Sequence, residues 1–393
     1  MPPHEGLVHL KEYDVKDSNV ELIGTNIDHD VKYKSAATEP AWNDGQVGQA
    51  GLRIWRIEDF EVVPWPKNKY GQFYDGDSYI VLHSYKIGGK EEEKLAHDIF
   101  FWLGSKTSQD EAGTAAYKTV ELDEFLHGVA TQYREIQQQP SENFVALFPR
   151  LQILKGGVRS GFTHVEEEKP KETLTLLRIF KHPAAGRTDS IVVHEVEPTW
   201  ESLDEDDVFV LDRGDKIWVW QGKKCSPMEK AKAAQVVHDM TIAKHVDVEV
   251  LSQAESRSRL VVNLLGGGET DQPSFKASRP LTRSEADGRP RRLFRLSDAS
   301  GKLEFGLVKE GDISNEDLDG NDLFILDTGK AIWVWQGASA STAEKGVWIR
   351  VAQAYVRQLQ EAEGPGNEGA HLTPISKVTE GSESRAFIKA LAA

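Results

Sequence analysis

One pattern recurs three times along this chain and restricts its fold more than any other feature. Gly76-Asp77-Ser-Tyr-Ile-Val-Leu, Asp206-Asp207-Val-Phe-Val-Leu and Asn321-Asp322-Leu-Phe-Ile-Leu each open an apolar run. Each is followed by a second run that closes on Trp and Gly, at Trp102 and Gly104, Trp220 and Gly222, and Trp335 and Gly337. A glutamate stands nine residues beyond each of these tryptophans, at Glu111, Glu229 and Glu344. From Asp to Trp the separation is 25 residues in the first copy and 13 in the other two, so the first copy carries twelve extra residues, placed between Tyr85 and Asp98. A spacing held three times means that the chain is built from three copies of one supersecondary unit.

Within a copy, β-branched and aromatic runs bounded by Asp212-Arg-Gly214-Asp and Asp327-Thr-Gly329-Lys predict antiparallel hairpins. After each Glu the apolar period becomes helical, through Ala112, Ala115, Ala116, Val120, Leu122 and Leu126 in the first copy and Val347, Trp348, Val351, Ala354, Tyr355 and Leu359 in the third. A closing strand is expected after each helix, over Phe144 to Leu154, His245 to Leu251 and His371 to Val378. Charged and Gly/Pro/Arg-rich stretches separate the units. The expected organisation is an extension over 1–50 and repeats over 51–166, 167–277 and 278–393. The extension is either a flexible arm or packs on the repeats through Leu22, Ile23 and Trp42.

Lys and Arg number 47 against 63 Asp and Glu, a formal charge of −16, so non-specific attraction to nucleic acid or anionic lipid works against the overall field. The single cysteine, Cys225, excludes an internal disulfide, and the first residues lack the basic stretch and apolar run of a signal peptide. No apolar run approaches the roughly 20 residues of a membrane span. The chain reads as a cytoplasmic protein without a transmembrane segment.

An acidic residue opening a strand and a Glu opening a helix can meet at one end of a unit and, with backbone carbonyls, form an all-oxygen site suited to calcium. No His or Cys shares the pattern, which excludes structural zinc. The competing reading is that Ser108-Gln-Asp-Glu111, Ser226-Pro-Met-Glu229 and Ser341-Thr-Ala-Glu344 are capping boxes that need no metal. Against it, Asp77, Asp207 and Asp322 recur as well, and a buried carboxylate requires a partner. Cys225 precedes a helix, which can lower a thiol pKa, but no His lies nearby to serve as a base. The basic cluster Arg279, Arg283, Arg289, Arg291, Arg292 and Arg295 reads either as a solvated linker face or as a contact for an acidic partner.

Gly51-Leu-Arg-Ile-Trp-Arg-Ile, Tyr70-Gly-Gln-Phe-Tyr-Asp-Gly-Asp77, Ser108-Gln-Asp-Glu111 and Gly156-Gly-Val-Arg-Ser-Gly-Phe162 closely resemble the first domain of the gelsolin/villin family. The resemblance covers about residues 51 to 393 and is to the short, three-domain severin/fragmin-like branch. It implies an α+β fold of three tandem domains, each a central mixed β-sheet sandwiched between a long and a short helix. It also implies a non-enzymatic, calcium-activated protein of the cytoskeleton that severs and caps actin filaments and nucleates them. The alternative is a calcium-dependent capping or monomer-binding protein without severing.

Carried over residue by residue, the resemblance implies a first calcium site of Gly76, Asp77, Glu111 and Val158, and a second, shared with actin, of Asp123, Gly128 and Ala130. The second repeat would use Asp206, Asp207 and Glu229 with Asp271 or Glu269, and the third Asn321, Asp322 and Glu344. Tyr117, Val120 and Phe162 would meet the barbed end of actin, as a monomer or in the filament, and Arg178, Lys181, Arg187 and Lys230 the filament side. The family's phosphoinositide run is thin here, reduced to Arg150, Lys155 and Arg159.

Overall fold

In the computed structural model, the described residues are 36–87, 94–157, 174–182, 191–243, 246–268, 275–276, 289–362 and 373–392. The first repeat contains β1 (Gly51–Glu58), β2 (Glu61–Pro64), β3 (Gln72–Tyr74), β4 (Ser78–Ile87), β5 (Lys94–Leu103), the long helix α1 (Gln109–Phe125), β6 (Thr131–Ile136), the short helix α2 (Glu142–Val145) and β7 (Leu151–Leu154). The second contains β8 (Thr175–Lys181), β9 (Ile191–Val196), β10 (Val208–Asp212), β11 (Lys216–Gln221), α3 (Pro227–Ala243), β12 (Asp247–Ser252) and α4 (Arg259–Leu264). The third contains β13 (Arg292–Ser297), β14 (Glu304–Glu310), β15 (Leu323–Asp327), β16 (Ile332–Gln336), α5 (Thr342–Glu361), β17 (Ile375–Thr379) and α6 (Arg385–Ala392).

Strand order is the same in all three: β2-β1-β4-β5-β6, β9-β8-β10-β11-β12 and β14-β13-β15-β16-β17. Neighbours are antiparallel except the last pair of each set, which is parallel because the long helix makes the crossover. The twelve extra residues of the first copy lengthen its hairpin: β4 and β5 run ten residues each, in register out to Ile87 opposite Lys94. The long helices cover one sheet face, burying Ala115 and Leu122, Ala233 and Val236, and Trp348, Ala352, Tyr355, Val356 and Leu359 against it. On the other face lie the short helices and the repeated tryptophans Trp102, Trp220 and Trp335, all buried.

The closing strand of the first repeat lies earlier in the chain than its apolar pattern suggests. It is Thr131–Ile136, parallel to β5. The run beginning at Phe144 instead forms one helical turn capped by the Ser141 hydroxyl, with Phe144, Val145 and Phe148 buried under the sheet. A run of four or five apolar residues does not distinguish a strand from a buried turn of helix, and the capping serine decides it. Leu151–Leu154 then leaves the first sheet and pairs in parallel with β9, so β3 and β7 extend the second repeat's sheet to seven strands.

The first and third repeats are joined more directly. Strand β17 pairs antiparallel with β6, Ile375 opposite Arg134 and Lys377 opposite Gln132, giving one ten-stranded sheet. Tyr133 packs edge-on to Trp333 at 5.9 Å, and one continuous core runs beneath both repeats. The end of the N-terminal extension packs as well: Trp42 is 1% exposed, meets Trp55 edge-on at 5.0 Å, and donates its indole N–H to Glu121. Leu22 and Ile23 lie outside the described residues.

Candidate metal centres

The repeated Trp-x-Gly has a geometric cause. Gly104, Gly222 and Gly337 each donate a backbone N–H to the carbonyl of the strand-opening Asp, at 3.0, 3.0 and 3.1 Å to Asp77, Asp207 and Asp322. A Cβ at any of the three would collide with the backbone carbonyl of Asp75, Glu205 or Gly320. This close approach brings the strand Asp to the start of the long helix, where the Glu stands nine residues past the Trp in each repeat. In each repeat the Ser hydroxyl accepts the Glu N–H at 3.2 Å, fixing the first turn.

The three glutamates differ in what their carboxylates do. Glu229 accepts from Ser226 N at 2.7 Å and from Lys181 N at 2.9 Å. Glu344 likewise accepts from Ser341 N at 3.1 Å and Asp298 N at 2.9 Å. These two close their capping boxes and also tie the helix to the end of the first strand, so the capping role and the acidic corner coexist. Glu111 is held by the Thr107 hydroxyl at 3.1 Å. Burial pushes the Glu111 carboxyl above its ordinary value and the nearby Asp77 charge adds to the rise. Burial does the same to Glu344, with Asp298 and Asp322 contributing.

The strand aspartates already have a protein partner. An arginine from the first strand of each repeat faces each of them: Arg56 lies 3.4 Å from Asp77, Arg178 2.5 Å from Asp207 and Arg295 3.2 Å from Asp322. The register is common to all three, since Arg56, Arg178 and Arg295 stand opposite Tyr79, Phe209 and Phe324, each two residues past its Asp. The sequence reading did not place these arginines at the aspartates: it set Arg178 on the filament side and Arg295 in the basic cluster, and gave Arg56 no role. Their signal is an Arg followed by Ile or Leu in the first strand of each copy, visible only once the strands are paired.

Among the described residues no three His, Cys, Asp or Glu side chains converge closely enough to hold a metal by themselves. An ion would need backbone oxygens to complete its shell, and the first repeat has them at hand. The Gly156 carbonyl accepts from Gly76 N at 2.8 Å, and Gly156 N donates to Asp75 Oδ1 at 2.9 Å. Gly157, at φ +146°, lies so close to the Asp77 carboxylate that a Cβ would strike it. Two carboxylates in a backbone cradle are a hard-oxygen donor set of the kind calcium takes. Val158, Arg159, Phe162, Arg187 and Asp271 lie outside the described residues.

At the far end of α1, Asp123 turns back on its own loop. Its Oδ1 accepts from Ala130 N at 2.9 Å and its Oδ2 from Gln132 Nε2 at 2.6 Å, while Gly128, at φ +71°, donates its N–H to the Asp123 carbonyl. Asp123, Gly128 and Ala130 are therefore gathered in one turn. Asp123 is 4% exposed and faces Lys377 of the third repeat at 3.7 Å. On the same helix Tyr117 is 55% exposed and Val120 half-buried.

The basic residues divide. Lys181 and Lys230 are exposed near the start of α3. Arg178, expected on the surface beside them, is 1% exposed and paired with Asp207 and Asp204; alternation along β8 turns it inward where its neighbour Lys181 turns out. Arg150 pairs with Asp239 at 2.8 Å and Lys155 with Glu197 at 2.7 Å, both bridging the first two repeats. The described members of the arginine cluster lace the third repeat together: Arg289 pairs with Asp327, Arg291 donates to the carbonyls of Ala390 and Leu391, and Arg292 pairs with Glu310. Burial pushes the Cys225 thiol up, away from reactivity.

Fold and site together define a class: tandem α+β repeats, each a mixed sheet between a long and a short helix with an acidic corner at the start of the long one. The gelsolin repeat family matches residues 59–145, 189–260 and 304–388, and the chain belongs to that family. It is 41% identical over 391 residues to gelsolin-like protein 1 of Lumbricus terrestris, covering 99% of both chains. It is also 35% identical to severin of Echinococcus granulosus, over 98% of this chain and 99% of that one. A third relative, from Platymeris rhadamanthus, is 35% identical over 86% of this chain and 87% of its own, and is named an actin depolymerising venom protein gelsolin 1. Among the described residues no helix is long and apolar enough to cross a membrane.

Proposed function

We propose that this protein severs actin filaments and caps their barbed ends under calcium control, with nucleation of filaments as a further activity, and that it works on the cytoplasmic cytoskeleton. The observation that carries the reading is the first repeat. A cradled acidic pair, Asp77 and Glu111, sits at the start of a helix that exposes Tyr117 and ends on the Asp123 turn. The relative named as actin depolymerising is 35% identical to this chain over 87% of its own length.

Gly76, Asp77 and Glu111 would hold one ion, and Asp123 with the turn through Gly128 and Ala130 a second, shared with an acidic partner. When bound, calcium supplies the charge that lets neighbouring carboxylates coexist. The chain does the rest. Lys181 and Lys230 attach the second repeat to the acidic filament side, and α1 presents Tyr117 and Val120 to the groove between successive subunits, where it competes with the neighbouring subunit. Opening of the sheet shared by β6 and β17 frees the Asp123 end of that helix, a population shift between a joined and a separated arrangement. No bond is made or broken.

A second reading, capping without severing, is favoured by the inward turn of Arg178, which leaves Lys181 and Lys230 as the described basic pair for side binding. Single-filament imaging of fluorescent actin in micromolar calcium and in chelator, repeated with Asp123→Ala and Glu111→Ala, separates the possibilities. Breaks that need calcium and fade in both variants are expected. Filaments that stop growing at one end without breaking would support the second reading, and filaments unaffected in calcium would overturn both.

A further inference from the structure

The three Arg–Asp pairs are not equivalent. Arg56 is shared with Glu58, to which its Nε donates at 2.7 Å, and Arg295 is 46% exposed on its side chain, so water can receive it. Glu58 is 27% exposed on its side chain, whereas Arg178 and its second carboxylate partner, Asp204, are both buried. Arg178 donates from its Nε to Asp207 Oδ2 at 2.6 Å and from its Nη2 to Asp204 Oδ2 at 3.3 Å. Its guanidinium lies 5.2 Å from the Phe180 ring and 5.9 Å from that of Phe209, and Asp204, Asp207 and Glu229 are all buried around the corner. Both oxygens of Glu229 already accept backbone N–H groups.

A calcium ion needs six to eight oxygens at about 2.3–2.6 Å, and it would have to displace a buried cation from Asp207 and two backbone donors from Glu229. A guanidinium that is weakly hydrated and bidentate toward carboxylates suits such a permanent position better than lysine would. We infer that Arg178, buried against Asp207 and Asp204, takes the place of the metal ion in the second repeat, so that this repeat holds no calcium under conditions in which the first repeat does. The inference rests on the reading of the acidic corners as calcium sites, and the donor set of the second repeat does not fit the ion that of the first repeat accepts.

The test is calcium stoichiometry of the full chain by titration calorimetry with calcium chloride alone, together with thermal midpoints in chelator and in calcium. Asp77→Asn should lower the number of ions bound by one, and Asp207→Asn should leave it unchanged. Arg178→Gln should gain one ion and a calcium-dependent rise in midpoint beyond that of the unaltered protein. Loss of an ion in Asp207→Asn, or a folded Arg178→Gln without the gain, overturns the inference. If Arg178→Gln does not fold, the Asp207→Asn count decides. Should the unaltered protein bind no calcium while Arg178→Gln binds one ion, the activation reading fails and the inference stands.

Discussion

The junction between the first and third repeats has one charged contact whose removal can be worked through. Asp123 is buried, and Lys377 Nζ approaches it at 3.7 Å from β17, in the register that places Lys377 opposite Gln132. At an effective dielectric of about 20, two unit charges at this distance attract by ~4–5 kcal/mol. Desolvating both ends offsets much of that, since a buried pair returns little net energy although stripping one partner costs about 3–5 kcal/mol. Asp123 keeps its bonds from Ala130 N and Gln132 Nε2 when lysine is lost, so Lys377→Met, which retains the apolar stem, should weaken the junction by about 2 kcal/mol. The three-repeat chain need not unfold in one step, so the assay should report the junction itself. Hydrogen exchange of the amides in β6 and β17 measures local opening, and about 2 kcal/mol corresponds to roughly 30-fold faster exchange there, with β10 and β11 unchanged. A change of less than about twofold in β6 and β17 would refute the reasoning and mean that backbone pairing and the Tyr133–Trp333 contact hold the repeats without help from charge.

Gly222→Ala places a Cβ against the Glu205 carbonyl and should destabilise the second repeat by about 1–3 kcal/mol; an unchanged thermal midpoint would contradict the close-approach account of the repeated glycine. Trp42→Ala should cost about 3–5 kcal/mol, read by denaturant unfolding of the full chain, because its ring lies in the first repeat's core. Burial lowers His182 and His194 to about 4. An unfolded chain takes up protons at these sites near the ordinary 6.5 while the folded chain does not, so stability should fall as pH drops from 6.5 toward 4, and His182→Gln should flatten that slope in melts across the window. Tyr117→Ala removes an exposed ring and should leave the melting temperature unchanged while weakening barbed-end capping about tenfold or more in seeded-elongation assays; equal capping would remove Tyr117 from the actin surface.

The features legible in the chain were local ones. Asp, Trp-x-Gly and Glu fall within one hairpin and the turn after it, so their spacing is preserved whenever the local geometry is, and the longer hairpin of the first copy could be located by counting. The helix starts at Ser108, Ser226 and Ser341 were legible for the same reason. Pairing between distant strands was not. The arginines precede their aspartates by 21, 29 and 27 residues, because the intervening segments vary, and only the shared register of β1 with β4, β8 with β10 and β13 with β15 brings them to one place. Whether a basic residue faces solvent or a carboxylate was equally hidden, as Arg178 and Lys181 show three positions apart on one strand.

By itself, the amino-acid sequence determined the unit: its hairpin, its long helix, its acidic corner and its threefold repetition, all set by propensities and short-range sterics that operate within some thirty residues. Only the tertiary structure decided how the units meet and which charges they share. Strands β6 and β17 find each other across some 240 residues of chain, β7 crosses to the second sheet, and a carboxylate that reads as waiting for an ion is met by an arginine or lysine from a distant strand. Those partners are selected by the burial of charge in a packed interior, where each carboxylate must find a cation or a donor, and that requirement exists only once the chain has folded.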